Sequence, residues 1–154
     1  MDIIRKQDKS VYYHVVNLFS TIPSVTIEDG FPINKELVLP SVAVEGEELF
    51  LKDKEMGNRR GRKLRLWSLD VYGSNKEQRD EIVGILFNNL DAIGVISVYD
   101  YDEGFPPSVS PTQLGVLKVD KESVTVTPIR IFPDLVEKLY WRSRIRFITE
   151  YAES

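Results

Sequence analysis

A strand pattern leads directly into a helix start at Lys63-Leu64-Arg65-Leu66-Trp67-Ser68-Leu69-Asp70-Val71-Tyr72-Gly73-Ser74-Asn75-Lys76-Glu77. From Lys63 to Tyr72 the apolar residues follow a period near two, which indicates a strand with one buried face. Ser74 and Glu77 stand three residues apart, so each side chain can bond a free backbone amide of the other at a helix start. The stretch therefore predicts a strand, a short polar turn and a helix.

The helix after this turn shows a clear apolar side. Ile82, Val83, Leu86, Phe87 and Leu90 recur at helical spacing, and we expect this side to pack on a sheet. Gly94 is expected to end the helix or to open the next turn, because glycine readily adopts the left-handed conformation found at helix ends.

A second helix is predicted near the N-terminus. Its apolar stripe is formed by Val11, Tyr12, Val15, Leu18, Phe19 and Ile22. Asp8 or Ser10 is expected to cap its start. Pro23 then stops it, since proline cannot donate the hydrogen bond of a continuing helix.

The remaining regular segments favour strands. Gly46-Glu47 is expected to be a hairpin turn, and Val119-Asp120-Lys121-Glu122-Ser123 a tight turn between two antiparallel strands. The predicted strands are Val25–Glu28, Val38–Glu45, Glu48–Lys52, Lys63–Tyr72, Ile93–Tyr99, Leu114–Val119, Val124–Ile131 and Tyr140–Tyr151.

The order of elements predicts an α+β fold in which an antiparallel or mixed β-sheet is packed by two main helices. Long loops are expected to project from it, above all the charged, glycine-punctuated segment from Asp53 to Arg62. A length of 154 residues suits one domain over residues 1–154, and no repeat or linker divides the chain.

Composition limits the function. There is no cysteine, which excludes a disulfide framework, a thiolate metal site and a cysteine nucleophile. Met1-Asp2-Ile3-Ile4-Arg5-Lys6 lacks the apolar stretch of a signal peptide, and no run is long enough for a membrane span, so we expect work in a cytoplasm without membrane contact. The net charge of −4 argues against nonspecific nucleic-acid binding by the whole protein.

No catalytic motif is recognisable, and we expect neither enzymatic activity nor a cofactor. His14 is the only histidine and is expected to be a surface or boundary residue of the first helix. Asp100, Asp102 and Glu103 form a carboxylate cluster suited to a hard cation, but Pro106 and Pro107 replace the rest of a calcium loop, so a solvated acidic loop is favoured.

Two groups of arginines stand out. Arg59, Arg60, Arg62, Lys63 and Arg65 concentrate positive charge on the long loop and the strand after it. Arg142, Arg144 and Arg146, here called the arginine row, alternate along the last strand and so share one face, with Trp141, Ile145 and Phe147 on the other. The row can bind phosphate, pair with carboxylates of a neighbouring subunit, or be solvated, and a partner is favoured.

The succession of segments resembles the tail terminator or tail completion proteins of long-tailed bacteriophages. The resemblance is carried by Leu39-Pro40-Ser41-Val42-Ala43-Val44, the basic loop, Leu66-Trp67-Ser68-Leu69-Asp70-Val71-Tyr72-Gly73-Ser74 with the helix after it, and Trp141-Arg142-Ser143-Arg144-Ile145-Arg146-Phe147. In that family a strand ending in a short polar turn leads into a helix, and the closing strand returns to the same sheet.

The resemblance implies a structural virion protein, localised to the tail or neck and to the host cytoplasm during assembly. It implies a homo-oligomeric ring, usually of six subunits, at the head-proximal end of the tail tube. Such a ring stops tube polymerisation, joins the tube to neck or head-completion proteins, and leaves a channel that DNA passes without specific binding. A closed ring needs two complementary surfaces on each subunit. The candidate interface residues are Arg59, Arg60, Arg62, the arginine row, Glu45, Glu47, Glu48, Asp100, Asp102 and Glu103.

Three alternatives stay open at the level of sequence. The first is a neck or head-closure protein of the same virion region. The second is a small nucleic-acid-binding module that uses the Arg59 to Arg65 basic segment with Trp67 or Tyr72 as a stacking surface. The third is an enzyme with an irregular carboxylate site formed from Asp70, Asp100, Asp102 or Glu103.

Overall fold

A computed structural model of the chain describes residues 2–22, 24–30, 38–52, 62–129 and 141–153. The elements are α1 (Ile3–Leu18), β1 (Thr26–Asp29), β2 (Ser41–Lys52), β3 (Arg62–Gly73), α2 (Lys76–Ile93), β4 (Val95–Tyr99), β5 (Gln113–Ile129) and β6 (Trp141–Glu153). The strands form one sheet in the order β1-β2-β3-β6-β5-β4. β1 is parallel to β2, and the other neighbouring strands of the sheet are antiparallel. The predicted α+β fold with two helices on a mixed sheet is therefore confirmed.

Both helices pack on the same face of this sheet. The strands turn alternate residues toward them, as the pairing of Val44 with Leu69 and of Leu69 with Ile145 shows. The buried core is formed by Val11, Val15 and Phe19 of α1, Ile82, Leu86 and Leu90 of α2, and Val42, Val44, Trp67, Leu69, Val71, Ile96, Val98, Leu117, Val119, Ile145 and Phe147 of the sheet.

The sheet curls so that α1 contacts both edge strands, β1 and β4. The Ser10 hydroxyl accepts a hydrogen bond from the Tyr99 backbone N–H at 3.1 Å. On the other edge, the Tyr12 hydroxyl donates to the Ile27 carbonyl at 3.4 Å. Side chains of α1 therefore bond backbone groups that an edge strand would otherwise leave open to pairing with another chain.

The start of α1 differs from the prediction. Asp2 is the N-cap, and its carboxylate accepts from the Ile4 amide at 3.5 Å. Asp8 and Ser10 lie inside the helix, so their assignment as caps was wrong. The first turns of α1 were not predicted because Gln7 and Ser10 are polar yet buried. A pattern based on apolar residues alone does not detect this part of the helix.

The start of α2 is shifted by one residue from the predicted Ser74 and Glu77 pair. Asn75 caps the helix by accepting from the Gln78 amide at 2.8 Å, and the Gln78 side chain accepts from the Ser74 amide at 2.8 Å. The two bonds are similar to those of the predicted capping box, but they are not reciprocal, because the Gln78 side chain accepts from Ser74 and not from the cap Asn75. Gly94 ends the helix with a left-handed φ of 67°, as predicted.

One residue of α2 was placed on the wrong side. Phe87 was expected to pack on the sheet, but it is 43% exposed, whereas Leu86 beside it is buried. One residue corresponds to about 100° of helix rotation, so an apolar residue adjacent to the packed stripe can face away from the sheet.

The predicted hairpin at Gly46-Glu47 is wrong, because Ser41–Lys52 is one strand. Its register with β3 shifts between Gly46 and Leu49, so the segment forms a bulge in a continuous strand. A similar error applies to Val119–Ser123, where β5 also continues and its register with β6 shifts between Asp120 and Thr125.

The Ser123 side chain stabilises the segment of β5 where the register shifts. Its hydroxyl donates to the Asp120 carbonyl at 2.6 Å and accepts from the Ile148 amide of β6 at 2.8 Å. The side chain thus takes over a cross-strand bond that the bulge interrupts.

Some predictions fall outside the described residues. These are Pro23 as the residue that stops the first helix, the loop from Asp53 to Gly61, residues 130 and 131 of a predicted strand, and Tyr140. Among the residues described, neither helix has the length and apolar character that crossing a membrane requires.

Candidate protein interaction surfaces

The arginine row lies on the sheet face opposite the helices and is paired within its own chain. Asp70 of β3 stands directly across from Arg144 of β6. Arg144 Nε lies 2.8 Å from Asp70 Oδ1, and Arg142 Nη2 lies 3.0 Å from Asp70 Oδ2. Arg146 donates to both carboxylate oxygens of Glu47 at 3.1 to 3.3 Å. From the sequence, phosphate, a neighbouring subunit or solvent were the expected partners of the arginine row. The structure shows carboxylates of the same chain instead. The sequence did not predict them because it does not reveal that β3 pairs with β6.

The two parts of this network differ in burial. Asp70 is only 3% exposed, so its charge depends on the two arginines. Hydrogen bonding to Asp70 raises the pKa of Arg144, which burial alone would lower. Arg146 and Glu47 are partly exposed, and Glu47 also accepts a hydrogen bond from the Ser68 hydroxyl. Pairing at Asp70 therefore fixes β3 against β6, whereas pairing at Glu47 is closer to a surface contact.

Arg65 and Trp67 are not available for nucleic acid. The Arg65 side chain turns toward the helix side, where Nη2 lies 2.6 Å from Asp8 Oδ1 and Nη1 donates to the Ile4 carbonyl at 3.2 Å. Its guanidinium carbon lies 4.3 Å from the Trp67 ring centroid. Trp67 and Tyr72 are buried as well, so the stacking surface predicted from them is wrong.

Burial dominates the electrostatics of Asp8. It raises the pKa of this carboxyl, and the nearby Arg65 charge opposes that rise without cancelling it. Gly46 makes the pair possible, since a Cβ there would overlap the Arg65 guanidinium and stand 2.8 Å from Asp8 Oδ1. The pair fixes α1 to the bulge of β2.

The remaining basic residues of the long loop are only partly described. Arg59 and Arg60 lie outside the described residues, and Arg62 begins β3. Lys63 is exposed.

The acidic loop carries a cation supplied by the chain itself. Lys6 Nζ of α1 lies 3.1 Å from Asp100 Oδ1 and 3.1 Å from Asp102 Oδ2. Hydrogen bonds to Asp100 and then to Asp102 raise the pKa of Lys6. Glu103 and Glu48 are both exposed. Within the described parts of the chain, no group of three or more acidic, histidine or cysteine side chains is placed to hold a metal ion.

His14 connects the two helices. Its Nε2 lies 2.9 Å from Asn89 Oδ1 of α2, in a partly buried position. The side chain is therefore a boundary residue of the first helix, as the sequence predicted.

The surface that sequence reasoning missed is an apolar groove of about 490 Å³ lined by residues of α1, β2 and β3, with Leu117 of β5 and Tyr151 of β6. Its exposed apolar members are Ile3, Ile4, Leu49, Phe50 and Leu51, with Lys63 also lining it. Leu51 is 76% exposed. Large apolar side chains concentrated at one place on a surface are typical of protein interaction sites. The alternation in Leu49-Phe50-Leu51 breaks down, which was the available signal.

Comparison with protein families gives no match, and comparison with curated proteins gives none either.

Proposed function

We propose that the chain is a structural virion subunit of the tail terminator type, which assembles as a ring at the head-proximal end of a phage tail tube. The ring ends tube polymerisation and provides the joint to the neck or head. The observation that carries the proposal is the apolar groove, because an exposed surface of this kind is explained by contact with another protein.

The arrangement of the strands supports the proposal. Of the segments that carry the family resemblance, the three other than the basic loop lie in the neighbouring strands β2, β3 and β6. β3 ends at a short polar turn that leads into α2, and β6 returns beside β3. This order agrees with the succession expected of the family.

The internal charge pairs also suit an assembly subunit. Two arginines hold the buried Asp70, and Lys6 holds the acidic loop against α1. These contacts fix the body of the domain, and a rigid subunit loses little conformational entropy when it associates. The same pairing gives no support to an irregular carboxylate enzyme that uses Asp70, and the burial of Trp67 gives none to a nucleic-acid module.

A polymerisation assay tests the proposed function and separates it from the neck alternative. Tube protein of the same phage is polymerised with and without the purified chain, and tube lengths are measured by electron microscopy. A terminator halts growth and caps one tube end at substoichiometric amounts. A neck or head-closure protein leaves tube growth unchanged and binds only finished tails. Unchanged tube lengths together with uncapped ends would contradict the proposal.

A further inference from the structure

The solvent side of α2 has an unusual composition. Asp80, Gly84, Phe87 and Asp91 follow one another at spacings of four, three and four residues, so they share one face of the helix. This set is called the α2 outer face. It lies to one side of the buried stripe of α2, and Phe87, which is 43% exposed, is the member next to that stripe.

Gly84 is not required by the packing of its own chain. A Cβ at this position would meet no atom within 4 Å, and glycine weakens a helix interior relative to alanine. A glycine next to an exposed aromatic ring does allow another molecule to approach the helix backbone closely. Phe87 and Gly84 together therefore indicate a contact surface.

The α2 outer face and the apolar groove are complementary in charge. Asp80 and Asp91 are exposed on the face, with Glu77 and Glu81 beside them. Asp80 also forms a salt bridge within its own chain, in which Arg79 Nη2 lies 2.8 Å from Asp80 Oδ1. The groove is lined by the exposed Lys63, and Arg5, next to Ile4, is exposed too. One surface offers an aromatic side chain among carboxylates, and the other offers apolar side chains beside cations. Such complementarity selects partner and register.

From this match we infer that the occupant of the apolar groove is a second copy of the chain, which docks its α2 outer face there with Phe87 inserted among Ile3, Leu49 and Leu51. The contact joins two different surfaces, so each copy retains one free groove and one free face. Contacts of this kind continue from subunit to subunit and close into a ring when the rotation permits. The inference rests on the proposed function for its biological setting and specifies the subunit contact within it.

Mixing two variants tests the contact. Leu51→Asp places a charge in the groove, and Phe87→Asp places one on the α2 outer face. Both residues are exposed, so neither change should unfold the domain. Sedimentation velocity should show assembly for the wild type and monomers of 17.7 kDa for each variant alone. A mixture should form one-to-one dimers that grow no further, because only one intact groove and one intact face remain per pair.

The matched control is Val109→Asp, which changes an apolar side chain of 57% exposure outside both surfaces and should assemble as the wild type does. Circular dichroism melts verify that all variants are folded. A wild type that stays monomeric at every concentration overturns the inference. So does a single variant that still assembles, or a mixture that stays monomeric.

The outcome is independent of tube capping. Self-association with the expected mixing behaviour but no effect on tubes would keep the subunit contact and reject the terminator function. Tube capping that survives in both variants would keep the function and reject this contact.

Discussion

Gly46 lies directly against the guanidinium of Arg65, in the space that any side chain at position 46 would fill. The arginine cannot move aside cheaply, because Asp8, the Ile4 carbonyl and the Trp67 ring hold it in place. The bulge in β2 and the attachment of α1 therefore depend on one another.

Gly46→Ala is predicted to destabilise the protein by about 1–3 kcal/mol, the usual cost of overpacking a filled site. Chemical denaturation, with the unfolding slope checked for constancy, measures the change. A change below a few tenths of a kcal/mol would show that Arg65 relaxes freely and would contradict the coupling.

Gly84→Ala should have the opposite effect on the isolated domain. Alanine favours the helix by up to about 1 kcal/mol and meets no neighbour within 4 Å, so the melting temperature should rise. Association should weaken at the same time, because the added methyl lies on the α2 outer face. Greater stability with unchanged association would count against the proposed subunit contact.

Removing the two arginine partners of the buried Asp70 is predicted to cost more stability than removing the arginines and the carboxylate charge together. The double change Arg142→Ala with Arg144→Ala leaves a buried carboxylate without its two ion pairs and should cost about 3–5 kcal/mol. Adding Asp70→Asn to this double variant should recover a large part of the loss, since the buried charge is removed. Equilibrium unfolding of the double and triple variants gives both numbers, and equal stabilities would refute the argument.

Arg146→Ala is the matched comparison for that series. Its pair with Glu47 is partly exposed, so the expected cost is only about 0–1 kcal/mol. A loss as large as that of the double variant would mean that exposure does not distinguish the two pairs.

The free energy of unfolding is predicted to depend on pH through Asp8, and the sign of this dependence follows from the pKa shift. Burial raises its pKa in the folded protein, so the folded state binds this proton more tightly than the unfolded state. The stability contribution of Asp8 is then lost as pH rises through the folded pKa and regained as pH falls. The unfolding free energy of the wild type minus that of Asp8→Asn should therefore increase on acidification just above the ordinary carboxyl pKa. A decrease in this difference would indicate that pairing with Arg65 outweighs burial.

Local patterns in the sequence predicted the elements well but not their pairing. The segment from Lys63 to Glu77 predicted β3, the polar turn and α2, and Gly94 was found at the helix end as expected. The two errors at Gly46-Glu47 and Val119–Ser123 have one origin. Turn-like residues also occur in bulges, and only the contacts of the neighbouring strand decide between the two.

The interaction surfaces were harder to predict. The alternation of Arg142, Arg144 and Arg146 places them on one face. Their partners Asp70 and Glu47 are more than 70 residues away and are known only once the strands are paired. The position of Phe87 could not be predicted for a similar reason. Within about one turn of the helix, its spacing from the packed apolar residues is the same as that of a core residue. The apolar groove is built from α1 and four strands that are distant in sequence, so the broken alternation in Leu49-Phe50-Leu51 is its one local signal.

The decisive measurement for the proposed ring is electron microscopy of the purified chain bound to tail tubes. We expect a closed annulus of copies at one end of each tube, with neighbouring subunits in contact through the apolar groove and the α2 outer face. Tubes with bare ends, and protein that remains a single copy of 17.7 kDa beside them, would contradict it.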